Sequence, residues 1–84
     1  FPFKANSRAR SIGKEEGFVK LLTLSSGHLV GAHIMGENGG ELIGECALAI
    51  QNRLKTAQIG ATTHAHPTLS EAILEAALDK PIHL

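Results

Sequence analysis

The 84-residue chain predicts an α+β fold, an antiparallel β-sheet with helices packed on it. Three observations carry this. Two runs rich in β-branched and aromatic residues, Gly17–Leu24 and Leu29–Met35, flank the turn signal Ser25-Ser26-Gly27-His28, which reads as a hairpin. Two apolar segments of helical spacing follow, Glu41–Arg53 and Leu69–Asp79. A hydrophobic content of 43% against 19% charged residues, in a chain this short and without internal repeats, describes one folded domain with one modest core.

Taken in order, Phe1–Lys4 is expected as a short strand and Ala5–Ile12 as a loop or single turn. In the second hairpin strand Val30, Ala32 and Ile34 share one face, and Leu29, His33 and Met35 the other. Both faces are largely apolar, which predicts a strand covered on each side. Gly36-Glu37-Asn38-Gly39-Gly40 is a loop signal before the long helix. Glutamates at the start of that helix, and Arg53 and Lys55 at its end, complement its dipole. Cys46-Ala47-Leu48-Ala49-Ile50 leaves it apolar around most of its circumference, so its second apolar side is expected to meet another subunit. Thr56–Gly60 is a short turn or helix. The last helix has Thr68 or Ser70 available as N-cap, an inner face of Leu69, Ile73, Ala76 and Ala77, and Pro81 as its stop.

Several function classes are excluded early. A formal net charge of zero gives no electrostatic case for nucleic acid or a membrane surface. Lys4, Arg8, Arg10 and Lys14 cluster without interleaved aromatics and read as a solvated basic edge. No apolar run reaches the ~18 residues of a membrane span, and the N-terminus lacks a secretory pattern. Cys46 is alone, which excludes an internal disulfide framework and favours a reducing compartment.

The segment suited to chemistry is Thr63-His64-Ala65-His66-Pro67-Thr68-Leu69-Ser70-Glu71. Pro67 restrains His66, and Glu71 lies five residues on, one turn into the last helix. A histidine titrating near neutral pH, with a carboxylate to orient its ring and stabilise the imidazolium, is equipped for general acid/base catalysis. The bland alternative is a surface histidine beside a first-turn glutamate that favours the helix dipole. A zinc site built on His64 and His66, completed by His33 or Cys46, is a weaker competitor, because HxH alone is a poor signal. His28 reads as a turn residue, His83 as a tail residue, His33 as a core or edge histidine, and Cys46 as an inert small hydrophobe.

His64-Ala65-His66-Pro67-Thr68-Leu69-Ser70-Glu71 resembles the active-site histidine loop of the dihydrolipoamide dehydrogenases, within the flavin-dependent disulfide oxidoreductases. Phe1-Pro2-Phe3, Ala5-Asn6, Arg8-Ala9, Gly17-Phe18-Val19-Lys20, Gly31-Ala32-His33-Ile34-Met35-Gly36 and Gly40-Glu41-Leu42-Ile43 extend the resemblance in order over nearly the whole chain. Glutathione and trypanothione reductases are similar after the His-Pro pair but usually carry a second glutamate where this chain has Ala72. The resemblance implies the C-terminal dimerisation domain, residues 1–84, of a larger flavoenzyme. It implies that His66 is the acid/base with Glu71 bonded to its far nitrogen, and that His64 and Pro67 lie at the cofactor. FAD and NAD would belong to the full-length parent, with none bound by this segment, which carries no redox cysteine pair and no GxGxxG fingerprint at Gly39-Gly40. No metal is implied. The implied partners are a second copy in a homodimer and the dihydrolipoyl groups of 2-oxo acid dehydrogenase complexes, in bacterial cytoplasm or mitochondrial matrix. A purely structural dimerisation module, or another disulfide reductase of the family as parent, are the alternatives. The His66–Pro67 bond is expected to be cis, as X-Pro bonds can be at a cost of about 0.5–1 kcal/mol, as the sharp reversal of the loop requires, and as the resemblance implies.

Overall fold

The computed structural model describes residues 1–79 and 81–84. Strand β1 (Phe18–Thr23) pairs antiparallel with β2 (Leu29–Met35), from Phe18 opposite Met35 to Thr23 opposite Leu29. Helices α1 (Ser7–Ser11), α2 (Gly39–Gln51), α3 (Thr56–Gly60) and α4 (Glu71–Leu78) surround this hairpin. A two-residue strand β3 (Ile82–His83) joins the free edge of β1 in parallel, giving the order β2-β1-β3. The α+β class holds, with a short parallel addition to the expected antiparallel sheet. The Thr23 hydroxyl bonds His83 Nδ1 at 2.7 Å, so the histidine expected in a tail is part of the sheet.

One N-terminal expectation is corrected. Only Pro2 of Phe1–Lys4 makes a strand-type bridge, to Phe18, and Phe3–Ala5 is a 3-10 turn that buries the Phe3 ring. Within Ala5–Ile12, expected as a loop or single turn, the turn is the five-residue helix α1, capped by the Asn6 side chain, which accepts from the Ala9 amide at 2.8 Å. Gly17 bends the chain into β1 at φ +102°, and a Cβ there would lie 1.8 Å from the Met35 carbonyl oxygen, so no other residue fits.

The covered-on-both-sides reading of β2 is also corrected. Its register slips between Leu22 and Thr23, placing one extra residue, Val30, on β2. The bulge reverses the phase of the alternation. Leu29 is buried and Ala32 and Ile34 pack on the core, while Val30, His33 and Met35 are exposed. His33 is thus an edge histidine and not a core one.

Helix α2 packs on β2, and α4 packs on β1 and α3. Around Leu21, Leu29, Ile73, Val19 and Cys46 the core closes completely. Ala72, which the expected inner face omitted, is buried beside Ile73, Ala76 and Ala77. Helix α2 stops two residues before the expected Arg53, because Asn52 caps it and Arg53 turns the chain at φ +55°. The expected surplus of apolar surface on α2 is present. Cys46 and Ala49 face inward, whereas Ile43, Ala47 and the 63%-exposed Leu48 face outward, together with Gly40 and Gly44.

Candidate active site

Loop 61–70 connects α3 to α4 and holds two histidines, each against a glutamate. His66 Nδ1 lies 2.8 and 2.9 Å from the two carboxylate oxygens of Glu71. A carboxylate accepts, so Nδ1 carries the hydrogen, and the neutral ring keeps its lone pair on Nε2. Nε2 has no partner among the described residues, and the side chain is 67% exposed. The Glu71 side chain is 19% exposed. It is held before it meets the histidine, because Glu71 Oε1 also accepts the Thr68 amide at 2.9 Å. The Thr68 amide bond first, and then His66, keep the Glu71 carboxyl below its ordinary range. His66 and Glu71 line an open cleft of about 340 Å³ with Asn6, Ser7 and Glu75.

Thr68-x-x-Glu71 has the spacing of a capping box, a signal the sequence offered in addition to the His-Glu pair. Only its glutamate half forms. Thr68 Oγ1 instead donates to the Ala65 carbonyl at 2.6 Å and lies 2.9 Å from Ser70 Oγ. Neither expected cap, Thr68 or Ser70, closes α4 with its side chain. The far end of the loop is fixed by Asn6, whose Nδ2 donates to the Thr68 carbonyl across 62 residues of sequence at 2.9 Å. The buried Asn6 therefore caps α1 and holds the loop together, a role that no local motif announces.

His64 lies two residues from His66 and is placed differently. Its Nδ1 is 2.9 Å from the Thr62 carbonyl, its Nε2 is 2.6 Å from Glu45 Oε2 on α2, and its side chain is only 6% exposed. The ring is turned into the domain, so the solvent-facing part of His64 is main chain. Pro67 is exposed at the loop tip, and the His66–Pro67 bond is cis, as expected.

Among the described residues no three His, Cys, Asp or Glu side chains converge on a point that could hold a metal ion. The two histidines have separate partners, His33 lies on the exposed face of β2, and Cys46 is buried inside α2. Burial, and next the Glu45 charge, push the Cys46 thiol up to about 11, so it stays protonated and inert. His28 pairs with Ser26 Oγ at 2.7 Å in the hairpin turn.

A histidine–carboxylate pair thus lies on an open loop, and α2 beside it leaves an apolar face uncovered. Comparisons with known proteins show the family. The model of the pyridine nucleotide-disulphide oxidoreductase dimerisation domain matches residues 1–77, and the chain belongs to this family. It is 56% identical to the mitochondrial dihydrolipoyl dehydrogenase of Dictyostelium discoideum and 50% identical to that of Pisum sativum, in each case over the whole chain and 18% of the relative. The crystal structure of LpdA from Mycobacterium tuberculosis superposes with a TM-score of 0.87 at 34% identity, over 93% of this chain and 17% of that one. The chain thus spans under one fifth of the length of the relatives it matches, and its resemblance to the dimerisation domain of dihydrolipoyl dehydrogenases is established. Among the described residues no helix is long and apolar enough to cross a membrane.

Proposed function

We propose that this domain supplies the acid/base pair His66–Glu71 to the active site of a flavin-dependent dihydrolipoamide dehydrogenase, which oxidises dihydrolipoyl groups of 2-oxo acid dehydrogenase complexes with NAD as the final acceptor. The observation that carries the reading is the state of the His66 ring. Glu71 ties Nδ1, and Nε2 has no partner among the described residues on a side chain that is largely exposed, so its lone pair is available. A dithiol entering the cleft is mostly protonated at neutral pH, whereas the thiolate is the species that attacks a disulfide. His66 Nε2 takes the S–H proton, the thiolate is released for attack, and Glu71 stabilises the imidazolium through Nδ1–H. On reversal the same nitrogen returns the proton.

The redox cysteine pair lies outside this segment, since its one cysteine is buried and inert. The chain has no phosphate-cradling glycine loop, so its own residues fit the role of a wall beside FAD and not of its holder. A bound flavin would accept the electron pair of the dithiol and pass it to NAD. His64, through its main chain, and Pro67 are the positions proposed to face that cofactor. The exposed apolar face of α2, with Leu48 and Ile43, is proposed as part of a two-fold homodimer contact. The names of the mitochondrial relatives favour the mitochondrial matrix as the compartment.

The test is His66→Gln in the full-length protein. Removing a general base costs about 10²–10⁴-fold in rate. Turnover of the dithiol should fall by that order while KM stays within a few-fold. Dithiol oxidation within a few-fold of wild type across pH 6 to 8 means that His66 is not the base.

A further inference from the structure

The Glu45–His64 pair has no part in the proton transfer just described, yet among the described residues it is the most enclosed ion-pair contact. Both ring nitrogens of His64 face acceptors, the Thr62 carbonyl at 2.9 Å and a carboxylate oxygen of Glu45 at 2.6 Å. A neutral imidazole has one N–H and cannot donate to both. Two proton placements satisfy the contacts, an imidazolium against a carboxylate or a neutral ring against a protonated Glu45. Histidine is ordinarily the more basic group by about two pKa units, which selects the ion pair. The charged side chains that bear on this ring are Glu45 from α2 and Glu71 from α4, both negative. Burial of the ring opposes its charge, but the bonds to Glu45 and Thr62 and these two carboxylates outweigh it, so the imidazolium persists above the ordinary histidine range.

We propose that Glu45 is a positioning residue for His66, holding the leading stem of the active-site loop to α2 through the His64 imidazolium. This rests on the acid/base reading of His66. The loop is irregular, and His66 lies between two sets of anchors. On its trailing side Asn6 holds the Thr68 carbonyl, Thr68 Oγ1 holds the Ala65 carbonyl, and Glu71 holds the Thr68 amide. On its leading side Thr62 Oγ1 donates back to the Gln58 carbonyl of α3 at 2.7 Å, and His64 ties the loop across to α2 through Glu45. A largely buried ion pair adds little net stability, because desolvation offsets its Coulomb energy, but its bonds can select one geometry. Nε2 of His66 must meet a thiol at hydrogen-bond distance, and a misplacement of about 1 Å can cost on the order of 10²-fold in rate.

The experiment uses the full-length protein with its flavin bound and compares Glu45→Ala, Glu45→Gln, His64→Gln, the double variant Glu45→Ala/His64→Gln and His66→Gln in one dithiol-oxidation assay. Glu45→Ala and His64→Gln are each expected to lower kcat about 10-fold with KM within about two-fold, because a misplaced base slows the chemistry more than it weakens binding. The double variant should cost no more than the worse single one, since both residues serve one contact. Glu45→Gln keeps a polar group within reach of the ring and should recover kcat to within about three-fold of wild type. If alanine at 45 yields no folded flavoprotein, His64→Gln carries the same test. Wild-type kcat in Glu45→Ala or in His64→Gln, or additive losses in the double variant, overturns the positioning role provided His66→Gln is impaired. An unimpaired His66→Gln overturns the acid/base reading itself, and is a separate result.

Discussion

His64 and His66 are two residues apart on one loop, each bonded to a glutamate, and only His66 keeps a ring nitrogen without a partner among the described residues. In His64 both nitrogens are occupied by acceptors and the ring is shut away from solvent at 6% exposure. In His66 one nitrogen is occupied, the other has no partner among the described residues, and the side chain lines an open cleft. A histidine–carboxylate pair is therefore not in itself an acid/base device. What matters is whether a lone pair remains within reach of substrate. The glutamates differ to match. Glu71 is five residues from its histidine and is held by the Thr68 amide, whereas Glu45 comes from another helix and ties the loop to it.

Substitutions on the two sides of this comparison should separate by size. His66→Gln stands first, with kcat down by about 10²–10⁴-fold in the full-length protein. Glu71→Ala should come next, at about 10²-fold at most, since the ring keeps its lone pair but loses its orientation. Glu71→Gln should be milder than Glu71→Ala, because a hydrogen-bonding group remains; kcat measured for the pair at pH 7.5 checks the order. His64→Gln should cost about 10-fold. A loss from His64→Gln as large as that from His66→Gln would erase the distinction between anchor and base.

The pairs should also respond to pH in opposite directions. His64 has a raised pKa in the folded state, so its contribution to stability is complete below its ordinary value of 6.5 and is lost as pH rises through the folded value. Glu71 has a lowered pKa, so its contribution is present above its ordinary value of 4.5 and is lost as pH falls through the folded value. The melting temperature of wild type should exceed that of Glu45→Gln most clearly near pH 6, and the gap should narrow above it. The gap between wild type and Glu71→Gln should instead narrow as pH falls below 4.5. Melting curves of the three proteins across pH 4 to 9 measure both trends, and parallel curves would show that neither pair is linked to folding as described.

Local chemistry made much of the molecule legible. The bounds of β2 and α3 follow from the sequence because turn residues mark both ends of Leu29–Met35 and because Thr56–Gly60 is a short segment between breaks. The His66–Glu71 contact is legible because it is local, five residues within one loop and one helical turn. β3 is not, since two exposed residues carry no period from which to read a strand. The phase of β2 escapes the sequence because a bulge depends on the partner strand's register and leaves no mark in its own alternation.

The α+β class, the apolar surplus on α2 and the His66–Glu71 contact could be read from the chain alone, because all three depend on residues close together in it. Where the His64 ring goes could not be read that way. It is set by Glu45, 19 residues away on a separate helix, and by the packing that closes solvent off from the ring. The same holds for Asn6, which reaches Thr68 across 62 residues. Contacts at such separations are selected by how helices and strands pack. Spacing along the chain can nominate a histidine, but only packing fixes which of its nitrogens remains free to react.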